Sequence, residues 1–243
     1  MESINRKYIS LAKQFGINLD IEITRNPQSP CQEVLELSDG YQMRLNTDKF
    51  IPDLSYESYV AYNLRQVLLP KLVLETERLR IRRLVYADAE ACFLFLSDRE
   101  GMYLDCCEAF TVMDEDYYQR IALFAKRDSQ YAITLKDSGK VIGTINVFED
   151  NSRAVDALEI GYAISPAYQR NGYAYEALSA VIDLLQNKLQ LEMITAGTLE
   201  ENIPSKKLLQ KLGFTKEGLR HKAIWHEVLN RPVDLEYYYL DKH

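Results

Sequence analysis

The stretch "SPAYQRNGYAYEAL", Ser165 to Leu178, changes character in its middle. Ahead of it "ALEIGYAI" alternates like a strand. Behind it Ala174, Ala177, Leu178, Val181 and Leu185 recur at helical spacing. Gly172 stands where strand becomes helix, and six residues, Gln169 to Ala174, fill a turn that two or three could make. A helix N-terminus carries unpaired N–H groups and a partial positive charge, so a long loop that aims several N–H groups at one spot makes an anion site without basic side chains. Gly172 is then the residue that lets a phosphate approach the backbone.

Two other phosphate-binding patterns fall away. G-x-G-x-x-G is absent, and "SGKV" at Ser138 to Val141 lies in a hairpin turn rather than ahead of a helix. What remains is Gln-x-x-Gly-x-Ala. It resembles the pyrophosphate-binding loop of the GNAT superfamily of acetyl-CoA-dependent N-acetyltransferases. Three longer stretches resemble the ribosomal-protein (Rim-like) branch of that family: "LETERLRIRRL" from Leu74, "ALEIGYAISPAYQRNGYAYEAL" from Ala157, and "ENIPSKKLLQKLGF" from Glu201.

The resemblance runs from about Leu74 to Leu240. It implies an α/β (α+β) fold, a mixed sheet splayed between two central strands and flanked by helices, with acetyl-CoA as co-substrate in the gap. Carried onto this sequence, Ala163, Ile164 and Ser165 would meet the pantetheine arm through backbone groups. Gln169, Arg170, Asn171, Gly172, Tyr173 and Ala174 would bind the pyrophosphate, and Asn202 and Ser205 would line the thioester end. Many relatives carry a tyrosine seven residues after this asparagine as the acid for the leaving thiolate. Here that position is Leu209, which leaves the role to Ser205 or water.

The residues also admit plainer readings. Asn202, followed by Pro204, is a good helix start. Along "ALEIGYAI", Leu158, Ile160, Tyr162 and Ile164 face one way and Glu159, Gly161 and Ala163 the other. A carboxylate sharing a face with two small residues suits a base beside a ligand-filled gap, and also a solvated strand start. The run "DEDYY", Asp114 to Tyr118, reads as an acidic helix N-terminus, and Tyr237 to Tyr239 as strand packing.

Residues 1–73 read as a small α+β subdomain ahead of a 74–243 acetyltransferase domain. Ile4, Tyr8, Leu11 and Phe15 make a helical face, and Ile17, Leu19, Ile21 and Ile23 alternate as a strand. "QEVLEL" and "YQMRL" flank Ser38-Asp39-Gly40 as a hairpin, and a second helix spans about Ser55 to Leu69. Their expected role is acceptor selection or homodimer contact.

With 243 residues, 47% of them hydrophobic, the chain can bury a sizeable core. A net charge of -7 argues against nucleic acid as main partner. The four cysteines and three histidines complete no metal or disulfide pattern, and no apolar run is long enough for a bilayer or a signal peptide, so a cytoplasmic protein without membrane or metal is expected. The reading is an N-acetyltransferase using Glu159, Ser205 and Asn202 on a small-molecule amine or a protein N-terminus. Its alternative is a non-catalytic acyl-CoA-binding module.

Overall fold

The computed structural model describes residues 73–127, 129–189 and 191–242, with residue 69 and strands at 22–25, 33–36 and 42–44. The chain divides into two compact units. In the first, β1 (Glu22–Arg25), β2 (Glu33–Glu36) and β3 (Gln42–Arg44) form an antiparallel sheet in that order. β2 and β3 pair as Val34 with Arg44 and Glu36 with Gln42. That is the antiparallel pairing expected of the runs that flank Asp39-Gly40; the turn itself lies outside the described residues. The helices expected over 4–15 and 55–69, and the strand residues before Glu22, lie outside the described residues.

The larger unit is an eight-stranded mixed sheet. Its strands are β4 (Leu74–Glu75), β5 (Leu79–Arg83), β6 (Gln130–Leu135), β7 (Val141–Glu149), β8 (Ala157–Ile164), β9 (Met193–Thr198), β10 (Thr215–His226) and β11 (Arg231–Asp241), in the order β10-β11-β9-β8-β7-β6-β5-β4. Helices α1 (Ala89–Leu96), α2 (Arg99–Leu104) and α3 (Glu115–Lys126) lie between β5 and β6; α4 (Tyr173–Ile182) joins β8 to β9, and α5 (Ile203–Lys211) follows β9. Leu84, Cys92, Phe95, Tyr117, Ile121 and Ala132 form one buried cluster, with Ala163 of β8 packed against it. Tyr162, the next side chain along and on the opposite face, bonds to Ser205 of α5 instead. The alternation of one strand thus separates the two sides of the sheet.

Every neighbouring pair in this sheet is antiparallel except β8 with β9. These two run parallel and pair only through Ala157–Met193, Leu158–Ile194 and Glu159–Thr195. Beyond Glu159, β8 continues to Ile164 held by β7, and β9 continues to Thr198 held by β11. The strands therefore part, each clamped by its outer neighbour. The β7–β8 leaf is tight: a Cβ on Gly143 would sit 2.3 Å from the Ala163 carbonyl oxygen, so only glycine fits.

Candidate active site

Where β8 and β9 part, a cavity of about 860 Å³ opens, within the range that holds ligands of cofactor size. Its walls include Glu159 to Ile164 of β8, Ala196 to Thr198 of β9, Asn202 and Ser205 at the start of α5, and Gln169, Arg170, Gly172, Tyr173 and Ala174 of the loop. Ten of the twelve expected site residues are thereby brought to one cavity. Ser165 and Asn171 do not line it.

Backbone direction can be read from the ladder. Ser165 N–H donates to Ile142 O at 2.8 Å and Asp150 N–H to Ala157 O at 3.1 Å, which fixes those as bonded pairs of the β7–β8 ladder. Bonded and non-bonded pairs alternate in an antiparallel ladder, so Glu159, Gly161 and Ala163 also turn their backbone groups to β7. Ile160, Tyr162 and Ile164 turn theirs to the side that β9 has left. Of the three residues expected to offer backbone groups to the cofactor, Ile164 faces the gap and Ala163 and Ser165 do not. Tyr162, not named from the sequence, faces the gap as well. The Ile164 oxygen is already accepted by the loop: Gln169 Nε2 donates to it at 3.0 Å.

The loop is drawn tight by two left-handed residues, Arg170 (φ 59°) and Gly172 (φ 80°). Gly172 is the N-cap of α4 and places no side chain over the first turn, so the leading N–H groups of that helix remain available to an anion. Asn171 turns inward, its Nδ2 donating to Gln169 O at 2.9 Å and Tyr168 O at 3.3 Å, which is why it holds the loop's shape rather than lining the cavity. The start of α5 is the opposite case. Asn202 Oδ1 accepts the Ser205 N–H at 3.2 Å as a true N-cap, so its helix-start reading holds while it also lines the cavity.

The Glu159 side chain makes no hydrogen bond to another described residue. Burial, together with the Asp150 charge, pushes its carboxyl above the usual range against the pull of Arg220 and Arg153. Asp150 itself stays ionised. Burial works against that, but hydrogen bonds from Ser152, Thr195 and Arg153 outweigh it. A half-buried, unpaired carboxylate with a raised pKa facing a cavity is what a proton acceptor needs.

Three lining residues escaped the sequence reading. Asp105, the C-cap of α2, lies exposed on the cavity wall, where desolvation by the surrounding protein pushes its carboxyl up to about 7. Tyr162 Oη lies 2.9 Å from Ser205 Oγ. Asn146, beside Gly161, has a buried Oδ1 without a partner among the described residues. Cys106 and Cys107 also line the cavity, but burial pushes both thiols up to about 11, so neither is held as a thiolate at neutral pH. None of Asp114 to Tyr118 reaches it: Asp114 caps α3, accepting the Tyr117 N–H at 3.1 Å. Tyr237 and Tyr238 are buried in the sheet.

The sequence model of the acetyltransferase (GNAT) domain matches residues 78–215, more than half of the chain. A Bacillus subtilis relative described as an uncharacterized N-acetyltransferase, YoaA, is 33% identical over 175 residues, covering 70% of this chain and 97% of its own. The [ribosomal protein uS5]-alanine N-acetyltransferase of Escherichia coli is 33% identical over 97 residues, 39% of this chain and half of that protein. Among solved structures, a GNAT acetyltransferase from Bacillus anthracis superposes with a TM-score of 0.62 at 27% identity, over 70% of this chain and 99% of its own. A sheet parted between β8 and β9, an uncapped helix start at the mouth of the gap, and relatives of this kind converge: the chain belongs to the GNAT family of acetyltransferases.

Proposed function

We propose that the protein transfers an acetyl group from acetyl-CoA to a primary amine by direct attack, both substrates lying in the β8–β9 gap. The observation that carries the reading is that the uncapped α4 N-terminus and the gap-facing backbone of β8 line one cavity. The first suits a pyrophosphate and the second an extended pantetheine arm. The geometry fits acetyl-CoA, which supplies the activated acyl group; the chain's residues do the rest.

The loop Gln169 to Ala174 holds the diphosphate, and a gap-facing N–H of β8 polarises the thioester carbonyl. Glu159 accepts the amine's proton, directly or through one water, and Ser205 faces the sulfur. Asp105, a second carboxylate on the cavity wall, attracts a cationic acceptor. Holding the two reactants together supplies much of the acceleration, because it removes the entropy of their encounter. The non-catalytic alternative finds no support in relatives described as N-acetyltransferases.

The test is a panel of acceptors incubated with acetyl-CoA and read by mass spectrometry for acetyl adducts: peptides with free α-amines, polyamines, aminoglycosides and small metabolite amines. Transfer to one class supports the reading and names the acceptor. Tight acetyl-CoA binding without transfer to any would return the protein to a binding module.

A further inference from the structure

The proton that the departing thiolate needs has no source on the second turn of α5. Leu209 is there, 1% exposed and packed in the core. One turn earlier, Ser205 occupies the third position of this nine-residue helix, its N–H already taken by Asn202. Across the cavity wall, Tyr162 of β8 brings its hydroxyl to 2.9 Å from Ser205 Oγ and 3.5 Å from Ser205 O. Both residues line the gap, just where β9 no longer pairs with β8.

We propose that Ser205 and Tyr162 act as one proton-donating pair on the leaving thiolate, Ser205 touching the sulfur and Tyr162 refilling Ser205. The inference rests on the acetyl-transfer reading above. As the C–S bond breaks, its electron pair goes to sulfur. The Ser205 hydroxyl proton moves to sulfur while the Tyr162 phenol proton moves to Ser205 Oγ. The phenolate left behind takes up a proton from solvent once the thiol has gone. The amine has lost one proton and the thiol gained one, so the reaction balances.

A serine hydroxyl alone is a poor acid, since giving up its proton would leave an alkoxide far more basic than the thiolate. The coupled phenol lessens that difficulty. Burial pushes the Tyr162 phenol up to about 12, partly offset by the Ser205 hydrogen bond and increased by the Asp105 charge, so it stays protonated at neutral pH. Efficient proton transfer favours donors near the acceptor's own range, and a phenol stands much closer to a thiol than an aliphatic alcohol does. The partial positive charge at the start of α5 favours the developing thiolate as well.

The test compares Tyr162→Phe, Ser205→Ala and the double variant with the wild type, on whichever acceptor the panel identifies. Tyr162→Phe should lower kcat about 100-fold with acetyl-CoA affinity, measured by calorimetry, unchanged. The double variant should be no slower than the slower single, as residues that act as a unit are not additive. A second readout is independent of turnover: fluorotyrosine placed at 162 and followed by fluorine NMR should titrate at higher pH when Ser205 is replaced by alanine. Wild-type kcat in Tyr162→Phe, or multiplicative losses in the double variant, would overturn the pair. A wild type that binds acetyl-CoA yet acetylates nothing would overturn the acetyl-transfer reading itself, and the pair with it.

Discussion

Arg78 and Glu176 lock the start of β5 to the first turn of α4: Arg78 Nη2 lies 2.6 Å from Glu176 Oε2, and the Arg78 backbone N–H donates to Oε1 at 2.9 Å. The same guanidinium donates through Nη1 to Asn171 O at 3.1 Å and lies 4.5 Å from the ring centroid of Tyr173. One arginine thus ties the loop's backbone, its aromatic flank and the helix that follows to a neighbouring strand.

Replacing Glu176 by alanine should slacken that tie. Acetyl-CoA affinity should fall about 10-fold, or 1.4 kcal/mol, and unfolding stability by about 1–2 kcal/mol, read by calorimetry and denaturant titration. Burial works to raise the Glu176 carboxyl, but hydrogen bonds from Thr76 and Arg78 outweigh it and hold it below its ordinary value. The group therefore stabilises the fold at pH above its unfolded pKa and loses that contribution as pH falls through the lowered folded value. The stability gap between wild type and Glu176→Ala should close at acid pH. A gap independent of pH would remove the ionic part of the clamp.

Glu159→Gln separates base from bystander. It should slow transfer at pH 7 with little change in acetyl-CoA affinity. The loss should shrink as pH passes the acceptor's own pKa, near 8 for an α-amine and about 10.4 for a lysine-like amine, because the amine then arrives neutral. Wild-type rates across pH 6 to 9 would make Glu159 a surface carboxylate.

Asp105 tests how the acceptor is drawn in. With its carboxyl pushed up to about 7 by desolvation on the cavity wall, it gains its charge as pH rises through neutrality. KM for a cationic acceptor should fall over that interval in the wild type and stay flat in Asp105→Asn, with kcat changed less than KM. Parallel pH profiles for the two proteins would take Asp105 out of acceptor binding.

How much of this was legible in the sequence depended on which physical signal each element leaves. β8, the loop and α4 were plain, because a period of two gives way to a helical period at Gly172. The hairpin of β2 and β3 was plain from Asp-Gly between alternating runs. α2 was missed. Its six residues are too few to show a period, and what starts it is a local contact, Asp98 accepting the Gly101 N–H; with it went Asp105, its C-cap. The first half of β10 was missed too, since its side chains are mostly exposed and a register shift between Arg220 and Ile224 breaks the alternation. Side-chain periodicity gave the faces of β8 but not the edge to which each N–H points, which is why Ala163, whose N–H turns to β7, was named and Tyr162, whose N–H turns to the gap, was not. The Tyr162–Ser205 contact joins residues 43 apart, and no spacing rule announces it.

The central claim is that the uncapped N-terminus of α4 binds the diphosphate, and titration of acetyl-CoA into Gly172→Glu against the wild type tests it most directly. Glutamate at this position would set bulk and negative charge against the diphosphate, while a Cβ there meets only Arg78 Nη2, at 3.5 Å. The left-handed backbone adds strain of about 1–2 kcal/mol to any such residue. The variant should therefore fold, shown by a cooperative melt with modestly lowered Tm, and should lose at least about 100-fold in acetyl-CoA affinity, or 2.7 kcal/mol. A folded Gly172→Glu that binds acetyl-CoA as tightly as the wild type would contradict the account.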